Sequence, residues 1–368
     1  FRVYDASTGI VWPMVKPSRD VDFNVGGVLG SFQEPVVLDA LEMIEQTLNL
    51  GEGWNWMSLS VVTNDMTATS LMSPISGSVD VVKSKKRSIM RYENIWDGGD
   101  ILMNNKEMYK VLMNNAEELS VIGSSPTDSE RTITVRNGWN WLAYNGTAAI
   151  SLGDAFASLN PEDGDLVKGK SGFAIFDGYE WTGTLQALVP SQGYMYLSKA
   201  DTDRSFSYPK SMAKAKAPAM APAMEYQPVI VTIFNPVDDS KYPGNMTVVA
   251  RITYDGKPLA ECETGVFAGS ECRTAGFTDS DGIVFLTVPG ESVEKLTFRI
   301  KYGADILISD NTLDYSDDAV VGNRKAPFEI GFDANSTTTS IVEVENSEAD
   351  EKWYTHDGYA LKHKPRVA

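Results

Sequence analysis

The side chains that most often perform acid–base or nucleophilic chemistry are scarce in this chain. Among 368 residues there are two histidines and two cysteines. Both histidines, His356 and His363, lie close to the C-terminus. A Ser–His or Cys–His nucleophile, or a histidine-rich zinc site, would have to recruit that tail. The composition therefore predicts no such catalysis, and two cysteines are too few for a four-thiolate zinc site.

Cys262 and Cys272 could form a disulfide in an oxidising compartment. A tight turn over residues 268–271 would place Phe267, and not Cys262, opposite Cys272. Geometry rather than sequence spacing decides whether two cysteines pair, so the sequence leaves the disulfide open. Neither cysteine has a base near it in the sequence, so we do not expect a reactive thiol.

Two stretches concentrate carboxylates in predicted loops: TDSDG from Thr278 and DNTLDYSDD from Asp310. Calcium takes such oxygen ligands, although neither stretch has the full EF-hand spacing. The alternative is a solvated turn in which each aspartate bonds its own backbone. Calcium is the one cofactor that the sequence suggests. Its candidate ligands are Asp279, Asp281, Asp314 and Asp317.

The net charge of −18 excludes several classes of partner. Phosphate contacts need a basic surface, so we expect no nucleic-acid binding, and docking on anionic lipid is equally disfavoured. No apolar run approaches the length that spans a bilayer, so no transmembrane segment is predicted. The one basic run is Lys83, Lys85, Lys86 and Arg87. At the equivalent positions of the later copy only two are basic, Lys168 and Lys170. We interpret both basic stretches as exposed strand ends.

The segment Gly-Trp-Asn-Trp occurs twice, with its tryptophans at Trp54 and Trp56 and again 85 residues later at Trp139 and Trp141. Residues two apart in a strand point to the same face. The paired indoles could form a platform that stacks on a sugar or a peptide side chain. They could equally anchor the core of a small strand-rich unit, because aromatic side chains bury the most area. The alternation of Met57, Leu59 and Val61 with two serines after the first pair favours the core, and so does the recurrence of the other aromatic positions.

Two further aromatic positions recur at the same offset, and these four residues are our candidate ligand contacts. They are Trp96 with Trp181 and Tyr109 with Tyr194. The two tryptophans lie beside Gly98 and Gly183 in predicted hairpins. We therefore expect them to be more exposed than the tyrosines.

The 85-residue offset extends through more than sixty positions, which indicates two copies of one supersecondary unit. "DVVKSK" from Asp80, for example, falls on "DLVKGK" from Asp165. Each copy consists mostly of predicted strands with period-two alternation. A short helix capped by Ser151 is predicted in the second copy, where Leu152, Ala155, Phe156 and Leu159 have helical spacing. The fold class is all-β with minor α: tandem strand-rich repeats followed by an Ig-like or transthyretin-like β-sandwich.

Changes in composition divide the chain into six parts. Residues 41–125 and 126–209 are the two repeats, and residues 210–228 form an Ala/Pro linker. Residues 229–335 form the sandwich, and residues 336–368 form a polar tether and a tail. Residues 1–40 resemble the end of that sandwich, since "FRVYDAS" parallels "FRIKYGA". We expect residues 1–40 to be the C-terminal remnant of an Ig-like sandwich that packs on the first repeat or on a neighbouring molecule.

Three pieces of the chain together resemble modular secreted or surface proteins of Bacteroidetes. The first is the repeated Gly-Trp-Asn-Trp segment. The second, "GVFAGSECR" from Gly265, is similar to the core of their Ig-like module. The third, "WYTHDGYALKHKP" from Trp353, resembles the opening of a C-terminal sorting domain of the type IX kind. This resemblance implies export to the cell surface or outer membrane, with export machinery as a partner of the C-terminal tail.

These observations predict a non-catalytic extracellular protein whose modules bind a glycan or a protein on the cell exterior, as in adhesion. The chain would not be an enzyme and would be secreted or held at the cell surface. Two alternatives stay open. The chain could be the accessory C-terminal region of a larger secreted hydrolase, or it could be a structural spacer.

Overall fold

A computed structural model of the protein describes residues 3–7, 10–12, 15–40, 43–209 and 232–340, and the pairs 353–354 and 360–361. Strands dominate these residues and the helices are short, which confirms the predicted all-β class. The predicted linker lies outside the described residues. So does most of the C-terminal tail, apart from β31 (Trp353–Tyr354) and β32 (Ala360–Leu361), which pair antiparallel.

Two hairpins precede the repeats. They are formed by β1 (Val3–Asp5) with β2 (Ile10–Trp12) and by β3 (Val15–Pro17) with β4 (Leu38–Ala40). The long connection inside the second hairpin exposes nearly all of four apolar side chains, Phe23, Val25, Val28 and Phe32. That this segment packs on the first repeat stays a prediction.

The first repeat is a five-stranded antiparallel sheet in the order β6-β10-β7-β8-β9, with a separate pair, β5 and β11. Its elements are β5 (Met43–Leu50), β6 (Gly53–Met57), α1 (Ala68–Leu71), a 3₁₀ helix (Ser73–Ser78), β7 (Val79–Lys83), β8 (Ser88–Tyr92), β9 (Ile95–Asp97), β10 (Tyr109–Met113) and β11 (Glu117–Ser124).

The second repeat has the equivalent sheet in the order β13-β19-β15-β16-β17, with the pairs β12 with β20 and β14 with β18. Its elements are α2 (Asp128–Arg131), β12 (Ile133–Val135), β13 (Gly138–Ala143), β14 (Ile150–Ser151), α3 (Leu152–Phe156), a 3₁₀ helix (Ala157–Leu159), β15 (Leu166–Lys168), β16 (Phe173–Phe176), β17 (Trp181–Gly183), β18 (Ala187–Leu188), β19 (Gly193–Ser198) and β20 (Arg204–Phe206).

The two sheets have the same strand register as well as the same strand order. Trp56 lies opposite Lys110 in the first repeat, and Trp141 lies opposite Met195 in the second, each 85 residues later. The other strand pairs of the sheets correspond at the same offset. The sequence periodicity and the backbone pairing therefore describe one repeated unit.

Each sheet has an inner face that packs on the rest of its own repeat. In the second repeat the predicted helix forms, with the Ser151 hydroxyl accepting a hydrogen bond from the Asp154 N–H at 3.2 Å. It buries all four side chains predicted for its apolar face, namely Leu152, Ala155, Phe156 and Leu159. The outer faces of the two sheets contain the Gly-Trp-Asn-Trp indoles, because side chains alternate along a strand.

The last described unit is a β-sandwich of two five-stranded sheets, as predicted. In one sheet β21 pairs with β22, β25, β28 and β29; the other has the order β24-β23-β26-β27-β30. A 3₁₀ helix (Asp239–Lys241) precedes β21 (Gly244–Tyr254), β22 (Lys257–Pro258), β23 (Glu263–Ala268), β24 (Glu271–Phe277), β25 (Ile283–Gly290), β26 (Lys295–Tyr302), β27 (Asp305–Asp314), β28 (Val320–Val321), β29 (Phe328–Phe332) and β30 (Thr337–Ser340).

The sandwich encloses a core of its own. Side chains of β21, β25 and β29 face those of β23, β26 and β27, and the cluster they form has no member from either repeat. Val248 and Phe298 at its centre are fully buried. Because all of this core comes from within residues 232–340, the sandwich is a self-contained folding unit.

Candidate functional site

Tyr109 and Tyr194 are buried, so the prediction that they contact a ligand is wrong. Their exposed fractions are 1% and 3%. Each hydroxyl accepts a hydrogen bond from a loop amide five residues earlier, Asn104 N–H at 2.9 Å and Val189 N–H at 2.7 Å. Burial raises the pKa of Tyr194 to about 12 and also raises that of Tyr109. The two tyrosines recur because each satisfies a backbone donor inside its own repeat.

Trp96 and Trp181 are half-buried, and each packs against the core of its own repeat. The ring of Trp181 has its centroid 5.5 Å from that of Phe156 and 5.4 Å from that of Phe176. The indole is thus held in place by neighbouring rings on one side. Its remaining surface lies in a groove.

This Trp181 groove lies between the β16–β17 hairpin and the start of α3, and its volume is about 440 Å³. Tyr179, at the tip of the hairpin, is 94% exposed. The groove combines aromatic rings with polar side chains, which is the usual makeup of a small-ligand site. It is lined by Ser151, Leu152, Gly153, Pro161, Phe176, Tyr179, Glu180, Trp181, Leu185 and Gln186.

The first repeat has the same hairpin without the aromatic lining. At the offset of 85, Phe176 corresponds to Arg91 and Tyr179 corresponds to Asn94, whereas Trp181 corresponds to Trp96. Since Arg91 and Asn94 permit the same strands and register, the fold does not require Phe176 or Tyr179. Comparison of the two copies at the offset of 85 would have identified these residues from the sequence.

The Gly-Trp-Asn-Trp strands meet where the two repeats pack together. Ser58 N–H donates to Ser191 O at 3.0 Å, and Ala143 N–H donates to Lys106 O, also at 3.0 Å. Both donors and both acceptors are 85 residues apart, so the two bonds are equivalents across an internal pseudo-twofold axis. Trp56 and Trp141, 3% and 9% exposed, form the apolar centre of this contact with Met108 and Met195. These two indoles are buried, as a core role requires, but in the contact between the repeats and not in the core of a single repeat.

The contact between the repeats is pseudo-symmetric in its backbone but not in its side chains. Met108 corresponds to Gly193 at the offset of 85. A Cβ atom on Gly193 would lie 2.7 Å from the Met108 Cβ and 3.0 Å from Met57 O. Because Gly193 has no side chain, it leaves room for the side chain of Met108, its counterpart in the first repeat. The two repeats are therefore complementary at this contact.

Lys110 is a buried cation whose neighbours at this contact are indole rings. Its side chain is 2% exposed, and its Nζ lies 4.4 Å from the centroid of Trp56 and 5.1 Å from that of Trp141. Burial lowers the pKa of Lys110 to about 8. Its counterpart in the second repeat is Met195, so this position is charged in only one of the two repeats. The Lys168 ammonium lies farther from the same ring, 6.0 Å from the Trp56 centroid.

We expect Lys110→Met to stabilise the protein at pH 7 and to remove a pH dependence. Lowering a lysine pKa from ~10.4 to about 8 disfavours the charged side chain by ~3 kcal/mol, and this net value already includes its contacts with the indole rings. Methionine carries no charge, so the gain at pH 7 should be up to ~3 kcal/mol. In the parent chain the unfolded state binds more protons than the folded state between the two pKa values, so stability rises from pH 8 to about 10. Urea unfolding across that range measures this rise, which the variant should lack.

Lys257→Met, at an exposed position of β22, is the control and should keep the rise in stability. A Lys110→Met protein that unfolds at lower urea concentration at pH 7 would show that the indole contacts outweigh desolvation. That result would contradict the prediction.

Lys168 joins the second repeat to the sandwich and was misinterpreted as part of an exposed strand end. Its side chain is fully buried, and its Nζ donates to Asn245 O at 2.8 Å and to Asp318 Oδ1 at 2.7 Å. The same ammonium lies 4.8 Å from the ring of Trp139. Burial lowers the pKa of Lys168, and Asp318 opposes that shift. The sequence gives no local sign of this, because both oxygen partners are more than 70 residues away.

The predicted calcium ligands do not converge, so that prediction is wrong for them. Asp279 pairs with Arg324 at 2.9 Å, and its Oδ1 also accepts hydrogen bonds from two N–H groups of its own turn. Asp281 pairs with the same arginine at 3.5 Å, Asp314 with Lys295 at 3.6 Å, and Asp317 accepts a hydrogen bond from a tyrosine. Within the described ranges, no three His, Cys, Asp or Glu side chains form a group that could hold a metal ion.

Cys262 and Cys272 are buried free thiols rather than a disulfide. The β23–β24 hairpin places Phe267 opposite Cys272, as predicted. Cys262 lies at the far end of that hairpin, where its N–H bonds Thr278. Burial raises the pKa of both thiols to about 11, so both stay protonated near neutral pH.

No protein-family model matches the chain, and no curated protein matches it. Among solved structures, the chain shows a weak likeness to the Bacillus anthracis TIE protein, with a TM-score of 0.17 and 10% identity. The match covers 78% of this chain and 51% of that protein, so the chain spans about half of its length. A likeness this weak carries no argument about fold or function. In the part of the chain that the structure describes, no helix has the length and apolarity needed to cross a membrane.

Proposed function

We propose that the chain is a non-catalytic, exported binding protein, and that a carbohydrate ligand occupies the Trp181 groove of the second repeat. One observation carries the proposal: two copies of the same hairpin differ in that only the second has Phe176 and Tyr179 beside the repeated tryptophan. The additional aromatic residues line one groove together with Trp181 and polar side chains, and such a combination suits a ligand.

The chemistry of the groove suits a sugar. Saccharides offer an apolar ring face and a rim of hydroxyl groups. Trp181 and Tyr179 supply aromatic surface, while Glu180 and Gln186 supply a carboxylate and an amide. The net charge of −18 also favours an uncharged ligand over an anionic one.

The groove is built on rigid elements. Trp181 belongs to β17, which pairs with β16, and its ring contacts the buried Phe156 of α3. Positioning by strands and packed rings lowers the entropy lost when a ligand binds. Tyr179 is the exception, because it lies at the exposed hairpin tip and would close over a ligand from one side.

Location at the cell exterior is part of the proposal. The resemblance of residues 353–365 to a sorting-domain opening supports it, and so does an acidic, strand-rich chain. Export machinery would then be the partner of the C-terminal tail. Fractionation of the producing cells tests this: the protein should be found in the medium or with the outer surface, and an intracellular protein would contradict it.

The binding site is tested by a glycan array screened with the full chain, followed by calorimetric titration of the sugars retained. We expect Tyr179→Ala and Trp181→Ala to weaken binding by about tenfold or more, because an aromatic anchor commonly contributes ~1.4 kcal/mol or more. Tyr179→Ala is the cleaner variant, since this side chain is 94% exposed and its loss should not change the melting temperature.

Tyr92→Ala is the matched control, because Tyr92 is a 73% exposed tyrosine at the equivalent hairpin of the first repeat. It should bind sugars as the parent does. Equal binding by Tyr179→Ala, Trp181→Ala and the parent would place the site elsewhere. A chain that retains no glycan would overturn the proposal; if it also captures no protein from a panel of host surface proteins, the spacer function remains.

A further inference from the structure

The outer face of the second repeat's sheet is covered by the β-sandwich. Phe285 and Ile283 of β25 pack on Phe173 and Ile175 of β16, with the Phe173 and Phe285 ring centroids 5.9 Å apart. Val249 of β21 belongs to the same apolar cluster. This contact leaves Ile175 only 7% exposed.

Charged pairs surround this apolar contact, with the cation mostly on the repeat. Lys168 pairs with Asp318 at 2.7 Å, and Lys170 pairs with Asp239 at 3.1 Å. The Asn245 side chain of the sandwich also donates to Lys170 O at 2.7 Å. The repeat therefore presents an apolar sheet face with lysines at one end, and the sandwich answers with apolar side chains and aspartates.

On the first repeat the sandwich reaches the equivalent face at β6, where Trp56 Nε1 donates to Pro243 O at 3.3 Å, but it leaves outward side chains of β8 and β9 exposed. Met90, the counterpart of Ile175, is 55% exposed, and the cross-strand pair of Tyr92 and Ile95 on the same face is 73% and 71% exposed. Lys83 is the counterpart of Lys168, and Lys85, the counterpart of Lys170, already donates a hydrogen bond to Trp139 O of the second repeat. We call this surface the repeat 1 outer face; the side chains on it are Trp54, Val81, Lys83, Met90, Leu112, Tyr92 and Ile95.

We propose that the repeat 1 outer face is the docking surface for a second β-sandwich module of the same kind as residues 232–340. The partner would present apolar side chains from two neighbouring strands, as Val249, Ile283 and Phe285 do, with aspartates beside them. The structure already contains this contact once, on the symmetry-equivalent face.

Both the apolar and the charged parts of the established contact have counterparts on the repeat 1 outer face. The large apolar side chains that meet the sandwich on the second repeat, Trp139, Leu166, Ile175 and Leu197, correspond to Trp54, Val81, Met90 and Leu112. The chief difference is Ser88 in place of Phe173. Near the lysines, Lys86 and Arg87 add positive charge in a chain whose net charge is −18, so an acidic partner is favoured.

A solvated face does not account for this surface. An unoccupied sheet face normally alternates apolar residues inward with polar residues outward. Here β8 places Met90 and Tyr92 outward, while Ile89, which precedes Met90, is buried in the core. Clustered exposed apolar side chains of this kind mark an interaction surface. The inference is independent of the carbohydrate site, which involves other residues on the other repeat.

The test titrates the sandwich, residues 232–340 expressed alone, into the full chain and follows complex formation by analytical ultracentrifugation. The module encloses its own core, and circular dichroism with a cooperative melt verifies that it is folded. We expect a one-to-one complex with a dissociation constant in the micromolar range, about 1–100 µM. Tyr92→Lys in the full chain and Phe285→Lys in the module should each weaken binding by about tenfold or more.

Tyr179→Lys in the full chain is the control, because it changes an exposed tyrosine on the other repeat, and it should leave the complex unchanged. A folded module that does not bind at several hundred micromolar overturns the proposal. A complex that Tyr92→Lys does not weaken also overturns it, since the module would then be exchanging with the sandwich on the second repeat.

Discussion

Replacing Asp318 by Asn should destabilise the protein by about 3 kcal/mol. The Lys168 ammonium is fully buried and pairs with Asp318 Oδ1 at 2.7 Å. Removing one partner of a buried ion pair leaves an uncompensated charge, which costs ~3–5 kcal/mol; partial exposure of Asp318, at 27%, reduces that cost. Urea denaturation at pH 7 measures the effect.

The loss in Asp318→Asn should shrink as the pH is raised. Burial already lowers the pKa of Lys168, and the carboxylate opposes that shift. Without the carboxylate the folded-state pKa falls further below the unfolded value. The unfolded chain then binds more protons over a wider range, so the stability of the variant rises more steeply with pH than that of the parent.

A double variant and a surface control make the prediction specific. Lys168→Met combined with Asp318→Asn should recover most of the loss, because replacing a buried pair by apolar groups is often neutral. Lys325→Met removes the exposed pair with Asp163, whose side chains are 64% and 62% exposed, and should cost less than ~1 kcal/mol. Equal losses for Asp318→Asn and Lys325→Met would show that burial of Lys168 does not matter.

Replacing Gly193 by Ala should destabilise the contact between the repeats by about 2–3 kcal/mol. The added Cβ would lie 2.7 Å from the Met108 Cβ and 3.0 and 3.1 Å from the backbone O and N of Met57. Backbone atoms on both sides cannot move without separating the strands, and overpacking of this kind costs ~1–3 kcal/mol. Hydrogen exchange at Ser58, whose N–H donates to Ser191 O across the contact, should accelerate.

Gly77→Ala is the control, since a Cβ there meets no atom within 4 Å, and it should unfold with the parent. Met108→Gly combined with Gly193→Ala should cost less than the two single losses together, because removal of the Met108 Cβ makes room for the new methyl group. Additive losses would indicate that the two residues do not share one space.

Local sequence patterns predicted the strands, one helix and one turn, because these depend on interactions between residues close in sequence. Period-two alternation identified the strands, and Ser151 with the spacing of Leu152, Ala155 and Phe156 identified helix α3. The turn after Ala268 correctly placed Phe267 opposite Cys272. The 85-residue offset predicted a repeated unit because equal spacing of turns and aromatic residues imposes equal register.

The candidate site was less predictable because its residues depend on contacts between distant segments. Tyr109 and Tyr194 were candidate ligand contacts, yet their recurrence reflects a shared need to satisfy a loop amide. Lys110 and Lys168 are buried because another unit packs on them. Hydrophobic periodicity within one segment does not predict such packing. Tyr179 corresponds to Asn94 in the first repeat. Candidate residues were chosen because they recur in both repeats, and that criterion cannot find a residue present in only one.

The unlike side chains at the pseudo-twofold contact also restrict which molecules can exchange halves. Two copies of the first repeat would not pack together in this way. The contact would then bring two Met108 side chains into one space and place two Lys110 ammonium groups among the same indoles. The first repeat therefore packs on a second repeat and not on another first repeat. The second repeat of the same chain is favoured, because the linkage gives it a high effective concentration. The unlike side chains therefore disfavour domain swapping between neighbouring molecules while they fold.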